Sequence, residues 1–129
     1  MKLPRLAILG IFVVAAASMG TYIGRGNLEL NILNPVKDRK EIQMIPEGFD
    51  PKEVNLYEGN DVCFVNADTV ERWPASNIHP THGIYPEFDP KGPVAVGEEW
   101  CFTFELPGIW RFHDHLLPQF SGIVTVKDK

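Results

Sequence analysis

The four histidines of this chain fall in two close pairs, a pattern typical of metal ligands. Two residues separate His79 from His82, and a single residue separates His113 from His115. Neutral imidazole is the commonest protein ligand for copper, zinc, nickel and iron. We therefore predict one metal site built from all four rings. The alternative, four surface histidines in two loops, leaves their pairing without a reason.

The second pair lies in a segment whose residues alternate as in a β-strand. Trp110, Phe112 and Asp114 are predicted to face inward, because successive side chains of a strand point to opposite faces. His113 and His115 then share the outward face and point toward the proline-rich loop that carries the other pair. One face of one strand is therefore predicted to present two imidazoles.

From Glu41 onward the chain has the pattern of an all-β domain. Short alternating segments are separated by turns rich in glycine, proline, asparagine and aspartate. The predicted strands are 42–45, 53–57, 62–66, 99–105, 109–114 and 122–126. Residues 67–97 are predicted to be a long loop with at most short strands. A loop of this length in a small domain indicates a functional role.

The two cysteines, Cys63 and Cys101, lie in alternating segments whose aromatic and aliphatic residues take the buried face. Both cysteines are therefore predicted to face outward on neighbouring strands. An even number of cysteines outside the cytoplasm usually indicates a disulfide. We predict a cross-strand bridge between them, with two free thiols as the alternative.

The N-terminus predicts export from the cytoplasm. A short basic head, 1–5, precedes nineteen uncharged residues, 6–24. As a helix this run is about 28 Å long, close to the hydrocarbon thickness of a bilayer. Residues 1–25 are either a signal peptide, cut near the alanines at 15–17, or an uncut membrane anchor, which the apolar run beyond the alanines favours. Residues 26–40 are predicted to be a linker and residues 41–129 the folded domain.

The part of the chain beyond residue 25 is acidic. It contains all 17 acidic residues but only nine of the 12 basic ones, so residues 26–129 carry a net charge of −8. This charge argues against nucleic acid or an anionic lipid surface as a partner. It suits a protein that attracts a cation, and it also suits ordinary solubility.

In the order of its elements the chain resembles the cupredoxins, the small β-sandwich proteins that include plastocyanin and the domains of multicopper oxidases. The resemblance covers residues 41–129. Its motifs lie at 48–51, 58–66, 97–100, 107–115 and 122–126. The chain is similar in particular to single-domain cupredoxins of the EfeO type. The resemblance implies an all-β Greek-key cupredoxin sandwich, preceded here by the N-terminal hydrophobic helix.

The chain departs from the blue-copper members of this family. Their cysteine ligand falls at Asp114 here, their early histidine near Arg72 and their late methionine near Phe120. Without a thiolate ligand, a blue electron-transfer centre is not expected. If Asp114 is a buried carboxylate, it needs a partner, and we expect it either to orient a ligand histidine or to pair with Arg72.

The histidine pairs are more similar to those of the first domain of a multicopper oxidase, where His-x-His motifs bind non-blue copper. His79, His82, His113 and His115 match those ligands by type, although the first pair is one residue longer. The cupredoxin fold brings both segments to the same end of the sandwich. The resemblance implies Cu(II) held by four histidines, with zinc as the alternative metal.

Five further residues have competing roles. Tyr85 and Asp89 are candidates for an oxygen ligand and for a carboxylate that accepts a hydrogen bond from a ligand histidine. Ordinary loop roles are the alternative for both of them. Trp73, Trp100 and Trp110 are expected to pack in the core rather than to tune a metal.

The sequence therefore predicts an exported copper-binding protein with a non-blue, all-histidine site, serving copper handling or delivery. The alternative is an oxidoreductase or electron-transfer protein that uses the same histidine-ligated copper. A third interpretation, an interaction module that has lost its metal, conflicts with the complete histidine set. The predicted partner is a metal ion, joined by the membrane if the N-terminal segment is uncut. No catalytic residue is predicted, and whether the chain is an enzyme is left open.

Overall fold

The computed structural model describes residues 37–129, which form eight β-strands and no helix. The strands are β1 (Arg39–Ile45), β2 (Gly48–Asp50), β3 (Glu53–Tyr57), β4 (Asn60–Asn66), β5 (Pro74–Ser76), β6 (Glu99–Phe104), β7 (Gly108–Asp114) and β8 (Ser121–Lys127). The predicted N-terminal helix and most of the predicted linker lie outside the described residues. Within residues 37–129, no helix is long and apolar enough to cross a membrane.

The strands form two four-stranded sheets. One sheet has the order β2-β1-β4-β6 and the other the order β3-β8-β7-β5. The pairs β1–β4 and β3–β8 are parallel, and the remaining pairs are antiparallel. The all-β, two-sheet part of the prediction is confirmed.

The core lies between the two sheets and is built from alternating strand residues. On β3, for example, Val54 and Leu56 are buried while the residues on either side of each are exposed. Aromatic rings fill the centre, with the fully buried Phe64, Phe88 and Phe112 within 6 Å of one another, centroid to centroid. Phe88 comes from the long loop after β5, so this loop is part of the packed core as well as its cover.

The predicted strands are all present, and two short strands were not predicted. The first strand begins at Arg39, three residues before the predicted start of that strand. β2 and β5 have three residues each, too few for a period-two pattern to be recognised. β5 pairs with β7 and sets Ala75 opposite His113, one of the predicted metal ligands.

The predicted disulfide is confirmed. Cys63 and Cys101 lie directly opposite each other on the antiparallel strands β4 and β6 and are joined by a disulfide bond. Cys101 is exposed and Cys63 is covered. Both thiols are therefore committed to a bond within the first sheet, whereas the histidine-bearing β7 belongs to the second.

Candidate metal centre

The short strand β5 brings the two histidine pairs together. The chain leaves β5 at Ser76, which lies opposite Phe112, and therefore starts its next loop beside the middle of β7. The amide of Asn77 donates to the carbonyl of Arg111, 3.0 Å away, and fixes this start. The loop then turns back on itself, and the amide of His82 donates to the carbonyl of Ile78 at 2.7 Å. This turn directs the first histidine pair toward the second.

The four predicted ligands meet in one cluster. One ring nitrogen from each of them lies within 4.8 Å of the ligand atoms of the other three. The closest pairs join the two segments: His79 Nδ1 is 3.3 Å from His113 Nε2, and His82 Nε2 is 2.9 Å from His115 Nδ1. Four nitrogens around one metal at about 2.0–2.1 Å lie roughly 3 Å from their neighbours. The two closest pairs have the spacing expected of neighbouring ligands of one four-coordinate ion.

The four histidines of the cluster differ in their exposure to solvent. His82 and His113 are each 4% exposed, His115 is half-buried and His79 is exposed. His113 lies on the face of β7 opposite to the core residue Phe112, as predicted, but it does not face solvent. The loop after β5 covers it. His113 thus faces the loop that carries the first histidine pair, as predicted, and this loop buries it.

The two buried rings each have a hydrogen-bond partner at the ring nitrogen that faces away from the other histidines. His82 Nδ1 lies 2.7 Å from Asp89 Oδ2, and His113 Nδ1 lies 3.0 Å from Asn77 Oδ1. Oxygen partners of this kind fix the orientation and tautomer of ligand histidines. Asp89 thus has the role of hydrogen-bond acceptor that the sequence indicated.

Two of the aromatic candidates, Tyr85 and Trp73, lie in different surroundings from those considered in the sequence analysis. Tyr85 packs in the core, with its ring centroid 4.7 Å from that of Trp110, so packing accounts for it without a ligand role. Trp73, expected in the core, instead lies against the cluster. Its ring centroid is 4.5 Å from that of His115, and its Nε1 donates to Asp89 Oδ1 at 2.8 Å.

Burial sets the charge state of the cluster. Burial, followed by repulsion from the neighbouring rings of His82 and His79, lowers the pKa of His113 to about 4. The same causes lower the pKa of His115. Burial opposes ionisation of Asp89, but hydrogen bonds from His82, Trp73 and Lys91 outweigh it and lower the pKa of this carboxyl. At neutral pH the lowered pKa values leave His113 and His115 uncharged, each with a lone pair for a metal, and Asp89 ionised.

A second polar cluster lies on the other face of the same strand end. Asp114 is fully buried, and its Oδ2 accepts a hydrogen bond from Arg72 Nε at 2.5 Å. Arg72 is also fully buried, and its Nη1 donates to Asp68 Oδ2 at 2.9 Å. The second role considered for Asp114, pairing with Arg72, is the one that the structure shows.

This ion pair stands where the family resemblance would put a blue-copper centre. The three equivalent positions, Arg72, Asp114 and Phe120, do come together: the guanidinium carbon of Arg72 lies 5.0 Å from the centroid of the Phe120 ring. At these positions the chain has an arginine and a carboxylate that are bonded to each other. Cys63 and Cys101 are bonded to each other and are not thiolate donors.

Two contributors to the histidine cluster were not assigned from the sequence. Asn77 is the residue directly after β5, and Trp73 is the residue directly before it. Recognising β5 as a strand paired with β7 is the signal that places both side chains beside the histidines. Three residues are too few to give that signal.

Comparison with known proteins gave matches of structure only. No model of a protein family matches the chain, and no curated protein sequence matches it. Among solved structures, the chain is similar to a purple cupredoxin from Nitrosopumilus maritimus, with a TM-score of 0.56 and 18% identity over 68% of this chain and 99% of that one.

Two further structures show the same likeness. One is a variant of amicyanin in its Cu(I) form, with a TM-score of 0.60 and 19% identity over 72% of this chain and 87% of that one. The other is a copper-containing nitrite reductase from Thermus scotoductus, with a TM-score of 0.60 and 24% identity over 71% of this chain, which spans only 23% of the reductase. At these identities the likeness concerns the fold. Residues 37–129 therefore form a cupredoxin-like domain.

Proposed function

We propose that this chain is an exported copper-binding protein with a non-blue, all-histidine site, serving copper handling or delivery. One observation carries the proposal: His79, His82, His113 and His115 each offer a ring nitrogen within a space of 4.8 Å. These are all the histidines of the chain, and they come from two separate segments. Their convergence supports a common ligand.

The chemistry of the donors supports copper. Imidazole binds Cu(II), zinc, nickel and iron, and Cu(II) heads the affinity order of the divalent first-row metals. A thiolate is needed for a blue centre, and the corresponding position holds Asp114, which is committed to Arg72. The bound Cu(II) is therefore expected to be free of intense visible absorption. Zinc, which takes four-coordinate imidazole sites, is the alternative metal.

Export is the part of the proposal that depends on the N-terminus. Residues 1–25 are proposed to be a signal peptide or an uncut anchor, followed by a linker that leads to the domain. The cross-strand disulfide supports an oxidising compartment, because such bonds are rare in the cytoplasm. The acidic charge of residues 26–129 is consistent with attraction of a cation rather than of nucleic acid.

The proposal is tested by measuring copper binding of the full-length protein and of its His113→Ala/His115→Ala double variant. The wild type is expected to bind one Cu(II) tightly, and the double variant is expected to lose this binding because half the nitrogen ligands are gone. Titration in the presence of a competing chelator, followed by metal analysis, measures both affinity and stoichiometry. An Arg111→Ala variant is the matched control, since Arg111 lies exposed on the same strand outside the cluster.

Circular dichroism of each variant separates lost binding from lost folding. A double variant that folds and still binds copper with wild-type affinity and stoichiometry shows that the histidines are not the site. A wild type that binds neither copper nor zinc excludes the proposed function altogether.

The exposure of His79 favours a second candidate, an oxidoreductase or electron-transfer protein that uses the same ion. The other three rings are at least half-buried, so a metal held by the cluster would be reached from the side of His79. A metal with an accessible side can bind a further small ligand or meet a redox partner. Repeated reduction and reoxidation of the copper-loaded protein distinguishes the two: a handling protein releases or transfers the ion, whereas a redox protein retains it through the cycles.

A further inference from the structure

Each imidazole has two ring nitrogens, and a hydrogen bond at one of them decides which is left to bind a metal. In His82 the Nδ1 atom lies 2.7 Å from Asp89 Oδ2. An ionised carboxylate only accepts hydrogen bonds, so Nδ1 carries the proton and donates it. The lone pair of His82 is therefore on Nε2, the atom that faces the centre of the cluster.

His113 is oriented in the same way by a different residue. Its Nδ1 atom lies 3.0 Å from Asn77 Oδ1. An amide oxygen also accepts only, so Nδ1 of His113 is the donor and Nε2 carries the lone pair. The two most buried rings of the cluster thus direct the same nitrogen inward.

The other two rings direct the opposite nitrogen inward. His79 presents Nδ1 to His113 Nε2 at 3.3 Å, and His115 presents Nδ1 to His82 Nε2 at 2.9 Å. Because both Nε2 atoms are acceptors, both facing Nδ1 atoms must donate. Without a metal, the cluster is therefore closed by two imidazole–imidazole hydrogen bonds, and all four rings carry their proton on Nδ1.

Building on the metal site proposed above, we propose that Asp89 and Asn77 are positioning residues that commit His82 and His113 to binding a metal through Nε2. The remaining two ligands then bind through Nδ1. The chain uses two oxygen acceptors, one charged and one neutral, to create a mixed donor set of two Nε2 and two Nδ1 atoms.

This arrangement requires a defined movement of protons on metal binding. The Nδ1–H bonds of His79 and His115 break, and an Nε2–H bond forms on each of the same rings, with solvent carrying the proton. Both rings stay neutral, and no net proton is released. His82 and His113 keep their protons on Nδ1. Two of the four tautomers change when the metal binds, and two do not.

Nuclear magnetic resonance of the ¹⁵N-labelled full-length protein tests this directly, with diamagnetic Zn(II) as the probe metal. Long-range ¹H–¹⁵N correlations report which nitrogen of each ring is protonated. In the metal-free protein, all four rings are expected to be protonated on Nδ1. With Zn(II), only His79 and His115 are expected to switch to Nε2–H. A switch at His82 or His113 overturns the inference, and so does the absence of a switch at either of the other two rings.

Variants of Asn77 separate positioning from packing. Asn77→Ala removes the acceptor, and we expect His113 to lose its fixed tautomer and Zn(II) affinity to fall by about 10- to 100-fold. Asn77→Asp restores an acceptor and is expected to recover both the tautomer and the affinity. Asn55→Ala, at an exposed position on β3, is the matched control.

The outcomes distinguish this inference from the function on which it rests. If the wild type binds Zn(II) or Cu(II) but its histidines have other tautomers than those expected, the proposed metal site is retained and the role of Asp89 and Asn77 is overturned. The same holds if Asn77→Asp behaves like Asn77→Ala. A wild type that binds neither metal ends the proposed function and the inference together.

Discussion

The two polar clusters at the end of β7 differ in where their positive charge comes from. The inner cluster consists of Arg72, Asp114 and Asp68, and its positive charge is part of the protein. The fully buried guanidinium of Arg72 lies between the two carboxylates. The outer cluster consists of the four histidines, and its positive charge would come from a bound metal. Burial keeps the pKa of His113 near 4. Arginine stays charged at any ordinary pH, whereas a neutral imidazole keeps a free lone pair.

This difference explains what each cluster is suited to do. The inner one has a permanent cation with several hydrogen bonds, including one of 2.7 Å from Arg72 Nη1 to the carbonyl of Ile45. It therefore ties β7 to the end of β1. The outer one brings four imidazole rings together near the surface, which would suit the binding of an exchangeable cation. A permanent buried cation suits the inner cluster to stabilising the fold, whereas imidazole donors would suit the outer cluster to the proposed binding of a metal.

The largest effect is expected from removing the inner cation. Arg72→Met leaves Asp114 and Asp68 buried without their charged partner, and we expect a loss of about 3–5 kcal/mol in the free energy of unfolding. Urea unfolding of the full-length protein measures it. Arg111→Met, an exposed change on β7, is the control and should stay within about 0.5 kcal/mol of wild type. If the two variants are equally stable, the inner cluster does not hold the fold.

The second largest effect on stability is expected when Cu(II) binds to the outer cluster. Cu(II) that binds only the folded state is expected to raise the free energy of unfolding by about 2.7 kcal/mol when free copper is 100 times the dissociation constant. The His113→Ala/His115→Ala variant should gain nothing under the same conditions. Unfolding curves with and without copper measure both. Equal stabilisation of wild type and variant places the copper elsewhere on the protein.

The smallest effect is the pH dependence of the metal-free protein. The unfolded chain takes up a proton at His113 near pH 6.5, but the folded protein does so only near pH 4. Stability therefore decreases as the pH falls from about 6.5 to about 4. Unfolding in the presence of chelator at several pH values measures the slope, which His113→Gln should reduce. An unchanged slope in that variant assigns the pH dependence to other groups.

The sequence predicted the general architecture because alternation is a local signal. The buried and exposed residues of β3 and β8 follow the period of two that the sequence shows. The disulfide followed from the same pattern, since Cys63 and Cys101 both lie opposite the apolar face of their strands. The convergence of the histidines was expected from the resemblance to the cupredoxins.

The fine structure of the site was not predictable in this way. The contact between Asn77 and His113 depends on a three-residue strand, and the contact between Asp89 and His82 depends on the path of the loop between them. Burial of His113 has the same origin. Such contacts join residues 7 to 36 positions apart through loop conformations that have no periodic pattern.

Because Asp114 stands between His113 and His115, both clusters share one strand register. Shifting a strand by one residue moves every side chain to the opposite face. A single-residue insertion or deletion in β7 would therefore turn the carboxylate toward the imidazoles and an imidazole toward Arg72, disabling both clusters at once. The length of this segment is thus more tightly constrained than its composition: it tolerates exchange of its exposed residues but not the gain or loss of one.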